Sequence, residues 1–251
     1  MDITQWMEVF TEAVRHAFGE RVRCIGLQGS RARGEAEADS DIDVVVILDE
    51  WRTSDWERYR MVLDHLPERE RVCGFVSGWT ELLGWEPSEL FGFYYDTRPW
   101  YGDLEPLRAC FGGEDACRAV RIGAGNIYHA CAYNRLHAQD ETVVRDLYKS
   151  AFFTLRAVHF CRTGMFIRTK RELLPLLKGA EHEILSAALQ EPAGSFAEQS
   201  CWIGPAVCCV HLCYELGRMK KIRGYRPCKR NIGRNRLKTQ GYLCVGVCLR
   251  L

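Results

Sequence analysis

The chain has 251 residues, of which 47% are apolar and 27% are charged, and these values are typical of a folded globular protein. The composition excludes collagen-like, coiled-coil and largely disordered chains, and no run of about 18 uncharged apolar residues is present to span a membrane. The last 36 residues hold 11 basic residues and no acidic one, whereas the first 215 hold 23 basic and 33 acidic residues. The net charge of +1 therefore combines an acidic body of −10 with a basic tail.

The first hundred residues alternate between helical and strand patterns. Apolar residues recur at helical spacing in the N-terminal segment, and short apolar runs that follow it predict strands. The run at 42–48 is rich in β-branched residues, which predicts a buried strand. A polar, glycine-punctuated stretch between two of these runs predicts a loop. The predicted order is helix 3–18, strand 22–27, loop 29–40, strand 42–48, helix 55–66, strand 72–77 and a helical stretch at 80–83.

Strand patterns fade after about residue 104, and helical patterns replace them. Glycine and proline residues separate four predicted helices, at 114–138, 141–163, 169–190 and 196–218. This segregation predicts an α+β fold class, with a small sheet and flanking helices in residues 1–108 and an all-α helical bundle in residues 109–223. Residues 224–251 have no helical period and predict a poorly ordered basic tail, with a nucleic-acid-binding arm as the alternative.

The N-terminal sequence MDITQWMEVF carries two acidic residues and no basic region before an apolar run, so it does not resemble a secretion signal. We therefore expect a cytoplasmic protein with no membrane partner. Thirteen cysteines are present, and none of them form a C-x-x-C pattern. We expect these cysteines to be reduced thiols that pack as small apolar side chains.

The sharpest feature is the pair Gly29 and Ser30, followed after a polar stretch by Asp41 and Asp43 at the start of a predicted strand. Residues two apart in a strand point to the same face, so these carboxylates project together and repel each other unless a cation lies between them. Charged oxygen ligands favour a hard divalent ion such as Mg²⁺. The Gly-Ser turn offers backbone N–H groups to an anion, and Arg31 adds positive charge beside it. The pattern predicts a site for a metal ion and a polyphosphate.

The segment LQGSRARGEAEADSDIDVVVIL resembles the signature of the DNA polymerase β-like nucleotidyltransferase superfamily. It is closest to the small bacterial branch of stand-alone nucleotidyltransferases and antibiotic-modifying enzymes. The resemblance implies that Gly29 and Ser30 bind the triphosphate together with Arg31. It also implies that Asp41 and Asp43 bind Mg²⁺ and are catalytic.

This sequence departs from the family pattern at the third carboxylate, which usually lies on the next strand. The matching segment here, VCGFV at residues 72–76, contains no acid. Asp96 is our candidate for the third catalytic carboxylate, with Asp103 as an alternative and a metal site of only two carboxylates as another. Asp49 lies about 20 Å along the strand from Asp43 and is disfavoured.

The helical half contributes candidates through the resemblance alone. Basic residues of the second domain often reach the triphosphate in similar enzymes, and Lys149 and Lys170 are the candidates for nucleotide binding here. A solvated helix face is the alternative for each of these lysines.

The resemblance implies in-line attack of an acceptor hydroxyl on the α-phosphorus of a nucleoside triphosphate, with pyrophosphate leaving. We expect a Mg²⁺-dependent enzyme that moves AMP from ATP onto a small molecule, with an aminoglycoside antibiotic as the specific hypothesis. The alternatives are an antitoxin-type AMP transferase that modifies a partner protein and a nucleotide-binding protein without turnover. A template-directed polymerase is disfavoured because the acidic body offers no surface for a nucleic acid.

Overall fold

The computed structural model of the protein describes residues 2–189. The chain divides into two compact units, Met1–Phe111 and a second unit that begins at Gly112. Each unit buries apolar side chains of its own. In the part of the chain that the structure describes, no helix is both long enough and apolar enough to cross a membrane.

The first unit combines one small sheet with five α-helices in its described residues. Strands and helices alternate along the chain, as the sequence pattern predicts for most of this region. The elements are α1 (Ile3–Phe18), β1 (Val22–Leu27), α2 (Gly29–Arg33), β2 (Ile42–Leu48), α3 (Thr53–Asp64), β3 (Val72–Gly78), α4 (Trp79–Leu83), α5 (Pro87–Asp96) and β4 (Arg98–Gly102).

Strand β2 lies inside the sheet, whose strand order is β3-β2-β1-β4. Strand β1 pairs antiparallel with both β2 and β4, whereas β2 and β3 run parallel. Ile42 and residues 44–48 are buried, and only Asp43 within β2 is partly accessible. A strand covered on both faces needs a nearly continuous apolar sequence, which explains why an acidic residue stands out in this one.

Helix α1 packs one apolar face into the core of the first unit. Met7, Phe10 and Val14 are fully buried and recur at the spacing of one helix face. Asp2 caps the helix by accepting a 2.8 Å hydrogen bond from the N–H of Thr4. The sequence predicts this helix at the residues where it occurs.

The first unit differs from the sequence prediction in two places. The predicted loop 29–40 is wrong at its start, where α2 forms and ends at Gly34, whose left-handed φ of +70° closes the helix. The sequence predicts no regular element after residue 86, whereas the structure contains α5 and β4 there. Strand β4 forms because the edge of β1 supplies its partner, with Leu27 opposite Arg98 and Cys24 opposite Gly102.

The described part of the second unit is helical. A buried Asn134 lies in a π-helical turn between its two long helices: its Nδ2 donates to the carbonyl of Asp140 at 3.0 Å, and its Oδ1 accepts from the N–H of Asp140 at 2.9 Å. Asp140 then caps the next helix through the N–H of Thr142. The helices are α6 (Gly113–Tyr133), α7 (Glu141–Thr163), α8 (Lys170–Leu173) and α9 (Ala180–Leu189).

The predicted continuous helix 169–190 is wrong, because the segment is interrupted between α8 and α9. Pro175 has no N–H to donate, and Gly179 adopts a left-handed φ of +55°. The predicted helix 196–218 and the predicted tail 224–251 lie outside the described residues. The assignment of domains at 1–108 and 109–223 stays a prediction.

Candidate active site

The turn after β1 brings the two parts of the sequence motif together. Gly29 and Ser30 open α2 directly after Gln28, and Asp43 lies on β2, the strand paired with β1. The N–H of Gln28 donates a 2.7 Å hydrogen bond to the carbonyl oxygen of Asp43. This bond fixes the Gly-Ser turn beside the start of β2.

The carboxylate of Asp43 lies against the backbone of Gly29. Gly29 adopts a left-handed φ of +69°, and a Cβ added there would overlap the carboxylate oxygen and lie 2.8 Å from Asp43 Cγ. Position 29 therefore requires glycine for two independent reasons, the backbone conformation and the contact with Asp43.

The first turn of α2 presents backbone amide groups next to this carboxylate. Its first hydrogen bond runs from the N–H of Ala32 to the carbonyl of Gln28 at 3.4 Å. The N–H groups of Gly29, Ser30 and Arg31 precede that bond and have no acceptor within the helix. Successive N–H groups of this kind form concave sites for phosphate oxygens, and the hydroxyl of Ser30 adds a further donor.

Arg31 holds the loop that carries the other predicted metal ligand. Asp41 lies directly before β2 and is exposed. The guanidinium of Arg31 donates from Nε to the carbonyl of Asp41 at 3.0 Å and from Nη2 to the carbonyl of Ser40 at 2.5 Å. The structure thus gives Arg31 a positioning role toward Asp41, while its predicted contact with the nucleotide stays a prediction.

Asp96, the predicted third carboxylate, ends helix α5 and pairs with an arginine of α2. Arg33 Nη1 donates to Asp96 at 3.2 Å, and Arg33 Nε donates to Glu35 at 3.1 Å. The side chains of Arg33 and Asp96 are only 10% and 14% exposed, so water screens this ion pair weakly. The structure ties Asp96 to the helix that begins at Gly29, and its role as a metal ligand stays a prediction.

The other carboxylates that the sequence analysis considered have structural partners. Asp49 follows the far end of β2 and forms a 3.1 Å ion pair with Arg21. Asp103 follows β4 and accepts a 2.9 Å hydrogen bond from the N–H of Glu105. Each contact stabilises a local turn or strand end.

Lys149 and Lys170, the predicted nucleotide-binding lysines, both belong to the second unit. Lys149 lies in α7, where its Nζ is 3.3 Å from Asp146 Oδ1 and its side chain is 65% exposed. Lys170 begins α8, and its Nζ lies 6.0 Å from the ring centre of Phe152. The Gly-Ser turn and the aspartates belong to the first unit, so the role of these lysines stays a prediction.

The residues present fit a magnesium ion that binds together with a triphosphate. Among residues 2–189, no three or more histidine, cysteine or acidic side chains cluster in a way that could hold a metal. Mg²⁺ commonly takes only one or two carboxylates and completes its shell with phosphate oxygens and water. Asp41 and Asp43 provide that number, and the absence of a side chain at Gly29 lets the Asp43 carboxylate lie against the backbone there.

The sequence analysis missed a hydrogen-bonded link behind the turn. Gln28 Nε2 donates to the hydroxyl of Thr97 at 2.7 Å, and that hydroxyl donates to the carbonyl of Phe93 at 2.7 Å. Gln28 and Thr97 are 69 positions apart in the chain, and Thr97 is buried. No local pattern could identify this pair, because it exists only when β4 lies beside β1.

The sequence analysis also missed a half-buried carboxyl group in α5. Burial raises the pKa of Glu89, and the charge of Glu86 adds to the effect. Glu89 precedes Asp96 by two helical turns, so both lie on one face of α5.

Comparison with known proteins shows a similar domain and a similar fold. Residues 7–90 match the family model of the nucleotidyltransferase domain, and this range includes the Gly-Ser turn and both aspartates of the motif. The chain is similar in fold to the crystal structure of spectinomycin adenyltransferase AAD(9) from Enterococcus faecialis with ATP and spectinomycin. The two are 13% identical, the match covers 86% of this chain and 99% of that chain, and the TM-score is 0.52. No curated protein matches the sequence.

Residues 7–90 thus carry a nucleotidyltransferase domain, and this match confirms the nucleotidyltransferase resemblance predicted from the motif. The class of enzyme that follows is a transferase of nucleotidyl groups. The chain shares its α+β fold, a small sheet followed by helices, with an antibiotic-modifying member of that class.

Proposed function

We propose that this protein transfers AMP from ATP, with Mg²⁺, onto a hydroxyl group of a small molecule of the aminoglycoside class. The observation that carries the proposal is the contact between the Asp43 carboxylate and the backbone of Gly29. That contact brings the carboxylate that we propose as a metal ligand beside amide groups that suit a triphosphate. The similarity in fold to AAD(9), whose structure contains ATP and spectinomycin, supports both substrate classes.

In this proposal the first unit positions the nucleotide. Asp41 and Asp43 would hold Mg²⁺, which when bound neutralises charge on the phosphate oxygens and orients them for in-line attack. The N–H groups of Gly29 and Ser30 would bind the outer phosphates and stabilise the charge on the leaving pyrophosphate. Arg31 would keep the Asp41 loop in place through the carbonyls of that loop.

The acidic charge of the first 215 residues, within a chain of net charge +1, supports a cationic acceptor. The first 215 residues carry a formal net charge of −10. A negative field of this kind concentrates polycations near the protein and speeds their encounter with it. Aminoglycosides carry several ammonium groups and hydroxyl groups, so they combine the charge and the nucleophile that the proposal requires.

The test is an acceptor screen with purified protein, ATP and Mg²⁺ against a panel that includes spectinomycin and other aminoglycosides. We expect pyrophosphate release with at least one acceptor and a product heavier by one adenylyl group. Chelation of Mg²⁺ should stop the reaction. An adenylyl group found on a protein instead of a small molecule would contradict the proposed acceptor. Tight ATP binding without any product would contradict turnover.

A further inference from the structure

The second unit brings two cysteines into contact, and the nucleotidyltransferase domain does not account for them. Cys117 lies in α6 and Cys161 in α7, with their Sγ atoms 3.2 Å apart and 44 positions between them in the chain. The sequence analysis expects the cysteines to be reduced thiols that pack as small apolar side chains. At these two positions the structure adds a contact between two thiols.

Small residues explain why the two helices approach closely enough for this contact. A Cβ added at Gly123 of α6 would lie 2.5 Å from the hydroxyl oxygen of Thr154 in α7. Cys117 lies before Gly123 in α6, whereas Cys161 lies after Thr154 in α7. The two contacts therefore follow opposite chain directions and belong to one antiparallel interface. The remaining buried side chains along this stretch of α6 are small or β-branched, namely Ala116, Val120 and Ala124. The thiols therefore meet in a closely packed interface, where their relative positions are restricted.

The two thiols differ in exposure and acidity. Cys161 is only 2% exposed, whereas Cys117 is half-buried. The hydrogen bond between the two thiols lowers the pKa of Cys117 to about 7, against an opposing effect of burial, and the charge of Arg121 assists. The same hydrogen bond and burial raise the pKa of Cys161. Cys117 is thus the thiol that ionises first and is open to a reagent, as an attacking thiol must be.

We propose that Cys117 and Cys161 form a reversible dithiol–disulfide site that reacts with small-molecule disulfides. The Cys117 thiolate attacks one sulfur of the reagent, forms a mixed disulfide and releases one thiolate. Cys161 then loses its proton to solvent and attacks the Cys117 sulfur, which forms the internal disulfide and releases the second thiolate. The protein loses two electrons and two protons, and the reagent disulfide is reduced to two thiols. This site is independent of the proposed transferase activity.

Peptide mapping of the full chain tests the proposal directly. The reduced protein is incubated with oxidised glutathione, its remaining thiols are alkylated, and it is cleaved with trypsin and a Glu-specific protease. Cleavage after Glu114 separates Cys117 from Cys110. We expect residues 115–118 to be joined to residues 157–162, and dithiothreitol to release the two peptides. Complete alkylation of Cys117 and Cys161 after oxidation, or a link from Cys117 to another cysteine, would overturn the proposal.

Two variants separate the attacking thiol from the resolving thiol. Cys161→Ala should keep glutathione bound to Cys117, because the substitution removes the thiol that displaces it in the proposal. Cys117→Ser should give neither the mixed disulfide on this pair nor the internal disulfide. Equal glutathione loading in both variants would contradict the assigned order of attack.

Cys131 provides a matched comparison within wild-type protein, which requires no substitution. It lies on the same helix as Cys117 and is also half-buried, but burial raises its pKa to about 11. We expect Cys117 in the reduced protein to react with a limiting amount of iodoacetamide at least about tenfold faster than Cys131, since the thiolate is the reacting form. Equal rates would remove the assignment of Cys117 as the attacking thiol.

Discussion

At position 29, the absence of a side chain decides where a carboxylate can lie. Gly29 and Gly34 open and close the same short helix, and both have a left-handed φ, of +69° and +70°. They differ in surroundings: a Cβ at Gly29 would overlap the Asp43 carboxylate, whereas a Cβ at Gly34 would meet nothing within 4 Å. The pair therefore separates backbone strain from the contact with the site.

We expect Gly34→Ala to destabilise the protein by about 1 kcal/mol, because alanine is strained at this φ, and to leave activity near the wild-type level. Gly29→Ala should cost at least as much stability and also reduce nucleotidyl transfer by about 100-fold or more, because its Cβ displaces the proposed metal ligand. Thermal unfolding and initial-rate assays measure both effects. Equal activity of the two variants would show that the contact at Gly29 has no catalytic consequence.

The proposed metal ligand itself gives a second prediction at this scale. Asp43→Asn should reduce transfer by about 1000-fold, since the lost charge weakens the hold on Mg²⁺ at the reacting phosphates. Asp39→Asn makes the same chemical change at an exposed position of the loop before β2 and should keep most of the activity. Circular dichroism should show the wild-type fold in both variants. Near-normal transfer by Asp43→Asn would refute the site.

Between secondary-structure elements, ion pairs connect helices to the parts of the first unit that surround the site. The pair of Arg33 and Asp96 links α2 to α5, and both side chains are largely shielded from water. A second ion pair links Arg21, the residue directly before β1, to α3. The guanidinium of Arg21 donates to both carboxylate oxygens of Asp55, at 2.9 and 2.8 Å. Bidentate pairs of this kind fix orientation as well as distance.

Substitution of Asp96 distinguishes a structural role, through its ion pair with Arg33, from metal binding. If Asp96 acts through Arg33, Asp96→Asn should lower the free energy of unfolding by about 1–2 kcal/mol and keep at least about a tenth of the activity. Arg33→Gln should have a similar effect, and the double variant should cost less than the sum of the two. Loss of transfer as complete as in Asp43→Asn, with additive stability effects, would instead identify Asp96 as the third metal ligand.

The Arg21–Asp55 ion pair predicts how the free energy of unfolding changes at acid pH. The hydrogen bond from Arg21 lowers the pKa of Asp55 below its ordinary value. The folded state therefore favours the carboxylate, so this contribution is present above about pH 4, the usual range for an unfolded aspartate, and is lost as pH falls through the folded-state pKa. Asp55→Asn should lower the free energy of unfolding by about 2 kcal/mol at pH 7, with a smaller difference from wild type below pH 4.

Asp64 provides the comparison for that experiment, because it lies on the same helix and its carboxylate is 54% exposed. Asp64→Asn should change the free energy of unfolding by less than about 0.5 kcal/mol at either pH. Urea unfolding between pH 3 and pH 7 measures these differences. A constant difference between wild type and Asp55→Asn over that range would contradict the role given to the carboxylate.

At the scale of the whole molecule, the chain consists of two compact units, and the first contains the complete Gly-Ser and aspartate motif. Its core is formed by its own residues, including Phe10 of α1, Ile25 of β1 and Val46 of β2. A unit with its own core is expected to fold independently.

We therefore expect residues 1–111 alone to give a cooperative thermal transition, measured by circular dichroism and calorimetry. The transition should respond to Asp55→Asn in the same direction as it does in the full chain. A fragment that shows no cooperative unfolding would contradict the proposal that the first unit is a separate domain.

Most of the local elements and the motif were predictable from the sequence alone. Short apolar runs located β1, β2 and β3, and the Gly-Ser and Asp-x-Asp spacing identified the nucleotidyltransferase family, because burial and backbone preference leave patterns within a few residues. Strand β4, the pairing of Arg33 with Asp96 and the contact of Cys117 with Cys161 become visible only in the folded chain. These partners are far apart in the chain, and their contacts arise when whole elements pack together. A periodic pattern records which face of an element is buried, but it does not record what that face meets.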